Sequence, residues 1–282
     1  MNLPRTLPTF LLLTLLVLPA VAAAQVSDTS FPVAPDVVVD IRNLVGKVDV
    51  LAWSDLRVRV IVHRRGRAVE TTFEQTANRV LVHTHLLQPA APPADRVVNY
   101  EIWAPSTARV KVRVESGAVR VENFSSDVSL EAVKASVLLA NLSGHTSVDT
   151  LNGSLQADRC SGRLEASSVS GNLRFFDNES RDLDAKTTSG DIFYQGDFLP
   201  GGSYEFVSHE GSIELRVGEA ASFELAADTV QGSVENELLV RPRARGRMPR
   251  PDSVHSLLGV VRAGDALVRV QSFSGTIRLR KR

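Results

Sequence analysis

A chain of 282 residues, 43% apolar and 23% charged, has the composition of an ordinary globular protein, which excludes a collagen-like, disordered or disulfide-stapled product. With 32 basic and 32 acidic side chains the formal charge is zero, so no whole-molecule field draws in nucleic acid or an anionic membrane, and no nucleic-acid partner is expected. Eighteen Gly, abundant Val and only two Met suit short strands and turns better than long helices.

In chain order, residues 1–24 come first. Arg5, the apolar run from Phe10 to Leu18 and the small residues Ala22-Ala23-Ala24 form a secretory signal peptide, with cleavage expected after Ala24. Its removal leaves 31 basic against 32 acidic side chains. No later run is long enough for a transmembrane helix in the mature chain. Residues 25–35 read as a flexible N-terminal lead. From 36 to 115 alternation is strong and turns are irregular, as in Val37-Val-Val-Asp-Ile41 and Leu56-Arg-Val-Arg-Val-Ile-Val62, which predicts an N-terminal β capping portion.

Residues 116–178 repeat with a period of nine. Gly117, Ser126, Ala135, Gly144, Gly153, Gly162 and Gly171 occupy the slots, mostly preceded by Ser or Asn. Apolar residues recur at the second, fourth and seventh places: Val119, Val121 and Phe124, then Val128, Leu130 and Val133, and so on through Leu164, Ala166 and Val169. A spacing of two marks one face of a strand, and the following step of three demands a corner. The prediction is all-β: a parallel β-solenoid, a flattened β-helix-like roll with two nine-residue units per coil. A meander of hairpins would keep alternation unbroken from turn to turn. Later turns at Gly190, Gly211 and Gly232 are 21 apart and fit a longer coil, with Gly275 lying 43 further on, close to two more steps, in a solenoid spanning 116–282. Cys160, alone in an oxidising compartment, is expected in the core.

The basic Pro-rich loop 241–251 places Arg241, Arg243, Arg245, Arg247 and Arg250 together, with Pro242, Pro249 and Pro251 keeping it out of any sheet. These five guanidinium groups are the candidate anion-binding residues, suited to polysaccharide or anionic lipid headgroups. No nucleotide loop, zinc-ligand run or nucleophile elbow is present, and no cofactor is expected. His83 and His85 share a strand face without a third ligand. The units lack the Gly-Gly-x-Gly-x-Asp signature of a calcium roll. Glu131 and Asp149, neighbours in successive coils, resemble the paired carboxylates of a glycosidase. N-x-S sequons stand at Asn123, Asn141, Asn152 and Asn178.

Several stretches carry a resemblance: Asn43-Leu-Val-Gly-Lys-Val-Asp-Val-Leu-Ala-Trp53, Tyr100-Glu-Ile-Trp-Ala-Pro105, Val110-Lys-Val-Arg-Val-Glu-Ser-Gly117 and the closing Phe273-Ser-Gly-Thr-Ile-Arg-Leu279. Through them the chain resembles the putative adhesin family of exported bacterial proteins with β-strand repeats, a domain of unknown function related to adhesin head domains. The resemblance implies a β-solenoid-like fold and a surface or periplasmic role, and it supplies no catalytic residues. The expected function is therefore an exported, non-enzymatic adhesin or scaffold, periplasmic, cell-surface or extracellular. It would bind polysaccharide, lipid or protein through many weak contacts. The alternatives are a carbohydrate-active enzyme using Glu131 and Asp149, and a structural protein that self-associates through its terminal strands.

Overall fold

The computed structural model describes residues 25–64, 66–242 and 254–282; the expected signal peptide and most of the basic loop lie outside them. Twenty-one strands carry the described chain. The first six are β1 (Gln25–Pro32), β2 (Val38–Trp53), β3 (Arg57–Arg64), β4 (Val69–Thr76), β5 (Arg79–Leu86) and β6 (Val98–Pro105). Two long ones follow, β7 (Arg109–Glu122) and β8 (Val128–Ala140). The regular coils then supply β9 (Thr146–Thr150), β10 (Leu155–Asp158), β11 (Ser161–Ser168), β12 (Leu173–Phe176), β13 (Glu179–Thr187) and β14 (Ile192–Gln195). The last seven are β15 (Ser203–Ser208), β16 (Ile213–Val217), β17 (Phe223–Thr229), β18 (Val234–Asn236), β19 (Ser256–Val261), β20 (Leu267–Ser272) and β21 (Ile277–Lys281).

The centre is the parallel solenoid that the nine-residue period predicts. Val110 lies opposite Val128, which lies opposite Thr146, and Thr146 lies opposite Leu164: a step of 18 residues per coil. One ladder runs through β7, β8, β9, β11, β13 and β15. The other runs through the distal halves of β7 and β8, then β10, β12, β14 and β16. The step lengthens to 21 between Ile192 and Ile213. Second- and fourth-place residues of both ladders, such as Val119, Leu130, Leu155 and Phe175, share one buried core.

Four expectations need correction. Residues 25–35 are not simply a flexible lead, because Gln25–Pro32 forms β1, paired antiparallel along its whole length with β3. The solenoid does not begin at residue 116. β2 pairs in parallel with β7 from Val38 to Leu51, and with β5 and β6 on its other side, so two complete coils precede β7.

Third, the later coils do not stack in sequence. β20 lies between β15 and β17, and β21 lies between β16 and β18, so the last coil of the chain is inserted beneath the one before it. Fourth, seventh-place residues do not all face inward. Phe124, Leu142 and Cys160 are buried, whereas Val133, Leu151 and Val169 are 47–49% exposed. The two turns of a coil therefore differ: one is closed by an apolar residue and the other by something else.

Candidate binding surface

What closes the second turn is a hydroxyl. Thr150, Ser168, Thr187, Ser208, Thr229 and Ser272 are buried and stand three residues before Gly153, Gly171, Gly190, Gly211, Gly232 and Gly275. Their oxygens accept from the following turn, with Gly211 N to Ser208 Oγ and Gly275 N to Ser272 Oγ both at 2.8 Å. They also donate to the neighbouring coil, as Ser208 Oγ does to Gly190 O at 3.1 Å and Thr150 Oγ1 to Ser168 Oγ at 3.0 Å. The motif Ser/Thr-x-x-Gly is visible in the sequence, but the nine-residue period masks it because alternate slots lack it. Gly is required there by close approach. A Cβ on Gly171 would sit 1.9 Å from Gly153 O, and one on Gly275 the same distance from Gly211 O.

With the sixth place turned inward, the seventh must point out. Val133, Leu151, Val169, Thr188, His209, Phe273 and Val230 form a single column along this corner. Backbone hydrogen bonds join adjacent coils beside it, for instance Leu151 N to Ala132 O at 3.0 Å and Val230 N to Ser272 O at 3.2 Å. Successive side chains are thus stacked at the strand spacing of about 4.8 Å. His209 and Phe273 are stacked rings, 4.6 Å between centroids. Phe273 is 39% and Val230 64% exposed. The column borders two shallow concavities, one of about 700 Å³ from Leu44 to Val169 and one of about 390 Å³ between Val207 and Phe273.

Glu131 and Asp149 lie on this face as neighbours in register, as expected. The surroundings of Glu131 do not suit it to the acid role in such a pair. Glu131 accepts a fork from Arg113, with Nε to Oε2 at 2.9 Å and Nη2 to Oε1 at 3.1 Å, and that hydrogen-bonded guanidinium holds its carboxyl below the usual range. A general acid needs the opposite shift.

His83 and His85 have their ring centroids 3.8 Å apart, and His85 Nε2 contacts Thr72 Oγ1 at 3.0 Å. Partial burial, then the charge of His85, lowers the pKa of His83. Among the described residues no group of three potential ligands assembles. Cys160 is buried, and desolvation pushes its thiol up to about 11. Asn178 is buried, accepting from Cys160 N at 2.7 Å and donating to Ala157 O at 3.0 Å, so this sequon is no surface acceptor. It occupies the inward turn position of Cys160 one coil on and replaces apolar contact with two backbone hydrogen bonds.

Of the five candidate anion-binding arginines, Arg243, Arg245, Arg247 and Arg250 lie outside the described residues. Arg241 is exposed and, contrary to the expectation of a loop free of any sheet, bridges Val260 through both backbone groups, at 2.9 and 2.8 Å.

A solved structure described as a putative adhesin, from Bacteroides fragilis, is similar with a TM-score of 0.53 at 12% identity, covering 93% of this chain and 99% of that one. A putative cell adhesion protein from Clostridium sporogenes gives a TM-score of 0.34 at 8% identity, covering 92% of this chain and 100% of that one. Identities this low bear on the fold alone, and the second score carries no argument. No curated protein matches the chain. The model of the Toastrack DUF4097 family matches residues 98–280, from the start of β6 into β21. That stretch is well over half of the sequence, and the chain belongs to the Toastrack DUF4097 family.

Proposed function

We propose that this protein is an exported, non-enzymatic binding module, an adhesin or scaffold of the cell surface or periplasm that holds its partners through many weak contacts. The observation that carries the reading is the exposed column from Val133 to Val230. An apolar side chain left in water on five of seven consecutive coils has no packing purpose, and contiguous exposed apolar surface marks interaction sites. Its repetition at a fixed spacing suits a repetitive ligand, whose contacts add by multivalency. The family resemblance and the adhesin-like fold neighbour support the same reading. The guanidinium clamp on Glu131 weighs against the catalytic alternative.

The test uses the chain from Gln25 onward on glycan and lipid arrays, beside the triple variant Val133→Ser, Leu151→Ser, Val169→Ser and a variant lacking 241–251. All three substituted positions are exposed, so the fold should be kept. Binding without turnover, weakened at least tenfold in the triple variant, is the expected result. Hydrolysis of a polysaccharide that disappears in Glu131→Gln would replace this reading with the enzymatic one. Export is checked by the mass of the secreted product, which should begin at Gln25.

A further inference from the structure

A second solvent-facing feature lies on the other ladder, away from the corner column. Strands β12, β14, β16 and β21 are consecutive neighbours there, and their outward side chains surround a concavity of about 450 Å³. Outward positions of a strand are normally polar. Here Phe176 and Phe193 are turned out and half-buried, with ring centroids 5.5 Å apart and tilted by 46°. The guanidinium of Arg216 sits over Phe193, 5.1 Å from its centroid, and is held there by Glu214 at 2.7 Å. Arg278 is likewise neutralised by Glu235, at 3.3 Å. Arg174, beside Phe193 in register, is the exception: it is exposed and has no ion-pair or hydrogen-bond partner among the described residues.

Two of the three guanidinium groups thus have carboxylates and the third has none, next to a pair of tilted aromatic rings. We propose that this face binds a carboxylated saccharide, Arg174 taking the carboxylate and Phe176 and Phe193 the sugar ring. A guanidinium fork matches a carboxylate in two parallel hydrogen bonds. Aromatic rings offer an apolar face to the C–H side of a pyranose. A neutral sugar would leave Arg174 unused, and a simple anion would leave the rings unused.

This inference deepens the binding-module reading by assigning a ligand class to a separate face. The probe is trigalacturonic acid titrated into the chain from Gln25 onward by calorimetry, with the methyl-esterified trisaccharide as the uncharged counterpart. The expected result is binding of the acid at least tenfold tighter than the ester. Arg174→Gln and Phe193→Ala should each remove it by a similar factor, while Arg109→Gln, at an exposed position of β7 outside both surfaces, leaves it unchanged. Arg174→Lys should restore only part of the affinity, since an ammonium lacks the fork. Circular dichroism confirms folding of each variant. No binding of the acid, equal binding of acid and ester, or indifference to Arg174→Gln in a folded protein would overturn the assignment. If array binding through the corner column persists in that event, the general binding-module reading stands without it.

Discussion

The middle of the solenoid and its two ends follow different rules of assembly. From β7 to β16 each coil rests on the one just before it in the chain, 18 to 21 residues earlier. At the ends that order is broken. β2 lies between the coil of β5 and β6 and that of β7, and β20–β21 lies between β15–β16 and β17–β18. In both places the displaced coil ends up outermost, and an antiparallel partner covers it: β4 on β5 and β3 on β6 at one end, β19 on β17 at the other. A solenoid of parallel coils would otherwise stop at a row of unpaired N–H and C=O groups. Short local steps govern the middle, where nearest-neighbour stacking has the least chain to close. Edge protection governs the ends.

The sharpest break of that contrast is truncation. Removing residues 263–282 takes β20 and β21 from between two other coils, so β15, β16, β17 and β18 all lose a partner. The expected outcome is loss of the cooperative thermal transition. A purely sequential solenoid would only be shortened, and a truncated protein melting near the parent would refute the interleaving. Next in size, Gly171→Val in the middle and Gly275→Val at the end should each destabilise by about 3 kcal/mol, because a backbone carbonyl blocks the new Cβ in both coils. Chemical denaturation should show the two equally severe, since the same glycine stack runs through both regions. Gly201, which has open space and a φ of +74°, should cost only about 1 kcal/mol when changed to Ala.

Asn178→Leu restores the apolar pattern of the repeat but leaves Cys160 N–H and Ala157 C=O without their buried partner. A loss of about 2 kcal/mol is expected, measured by urea titration. The smallest effects concern the hydroxyl ladder, where Ser208→Ala in the middle and Thr229→Val at the end should each cost about 1 kcal/mol.

The thiol of Cys160 reports on the middle alone. Its pKa is raised in the folded state, so folding favours the neutral thiol. That contribution is complete below the ordinary thiol value and is lost as pH rises through about 11. Alkylation by iodoacetamide at pH 8 should therefore follow unfolding, and rapid labelling of the native protein would contradict the buried register.

Much of this was legible in residues 116–178. A nine-residue period with apolar second and fourth places is a consequence of coils of equal length, and it placed Cys160 in the core without any coordinates. The same period hid the difference between the two turns. Val133 and Leu142 look alike in the sequence, and only the backbone path shows that one faces water and the other the core. The Ser/Thr-x-x-Gly signal could have separated Leu151 and Val169 from Leu142, since a hydroxyl that caps the turn takes the inward place; beside Val133 that place is held by Ala132, and the motif is absent. The outward pair Phe176 and Phe193 was harder to find. The two lie 17 residues apart and become neighbours only through the 19-residue step between β12 and β14.

The sequence by itself determined the class of fold, the length of a coil and which side chains at second and fourth places are buried, because alternation and period are local properties of a strand. The tertiary structure decided which coil lies beside which, how the ends are covered and where apolar side chains remain in water. The order of the last coils depends on pairing between segments more than 40 residues apart, and a local pattern carries no information about which of several equivalent partners a strand will choose.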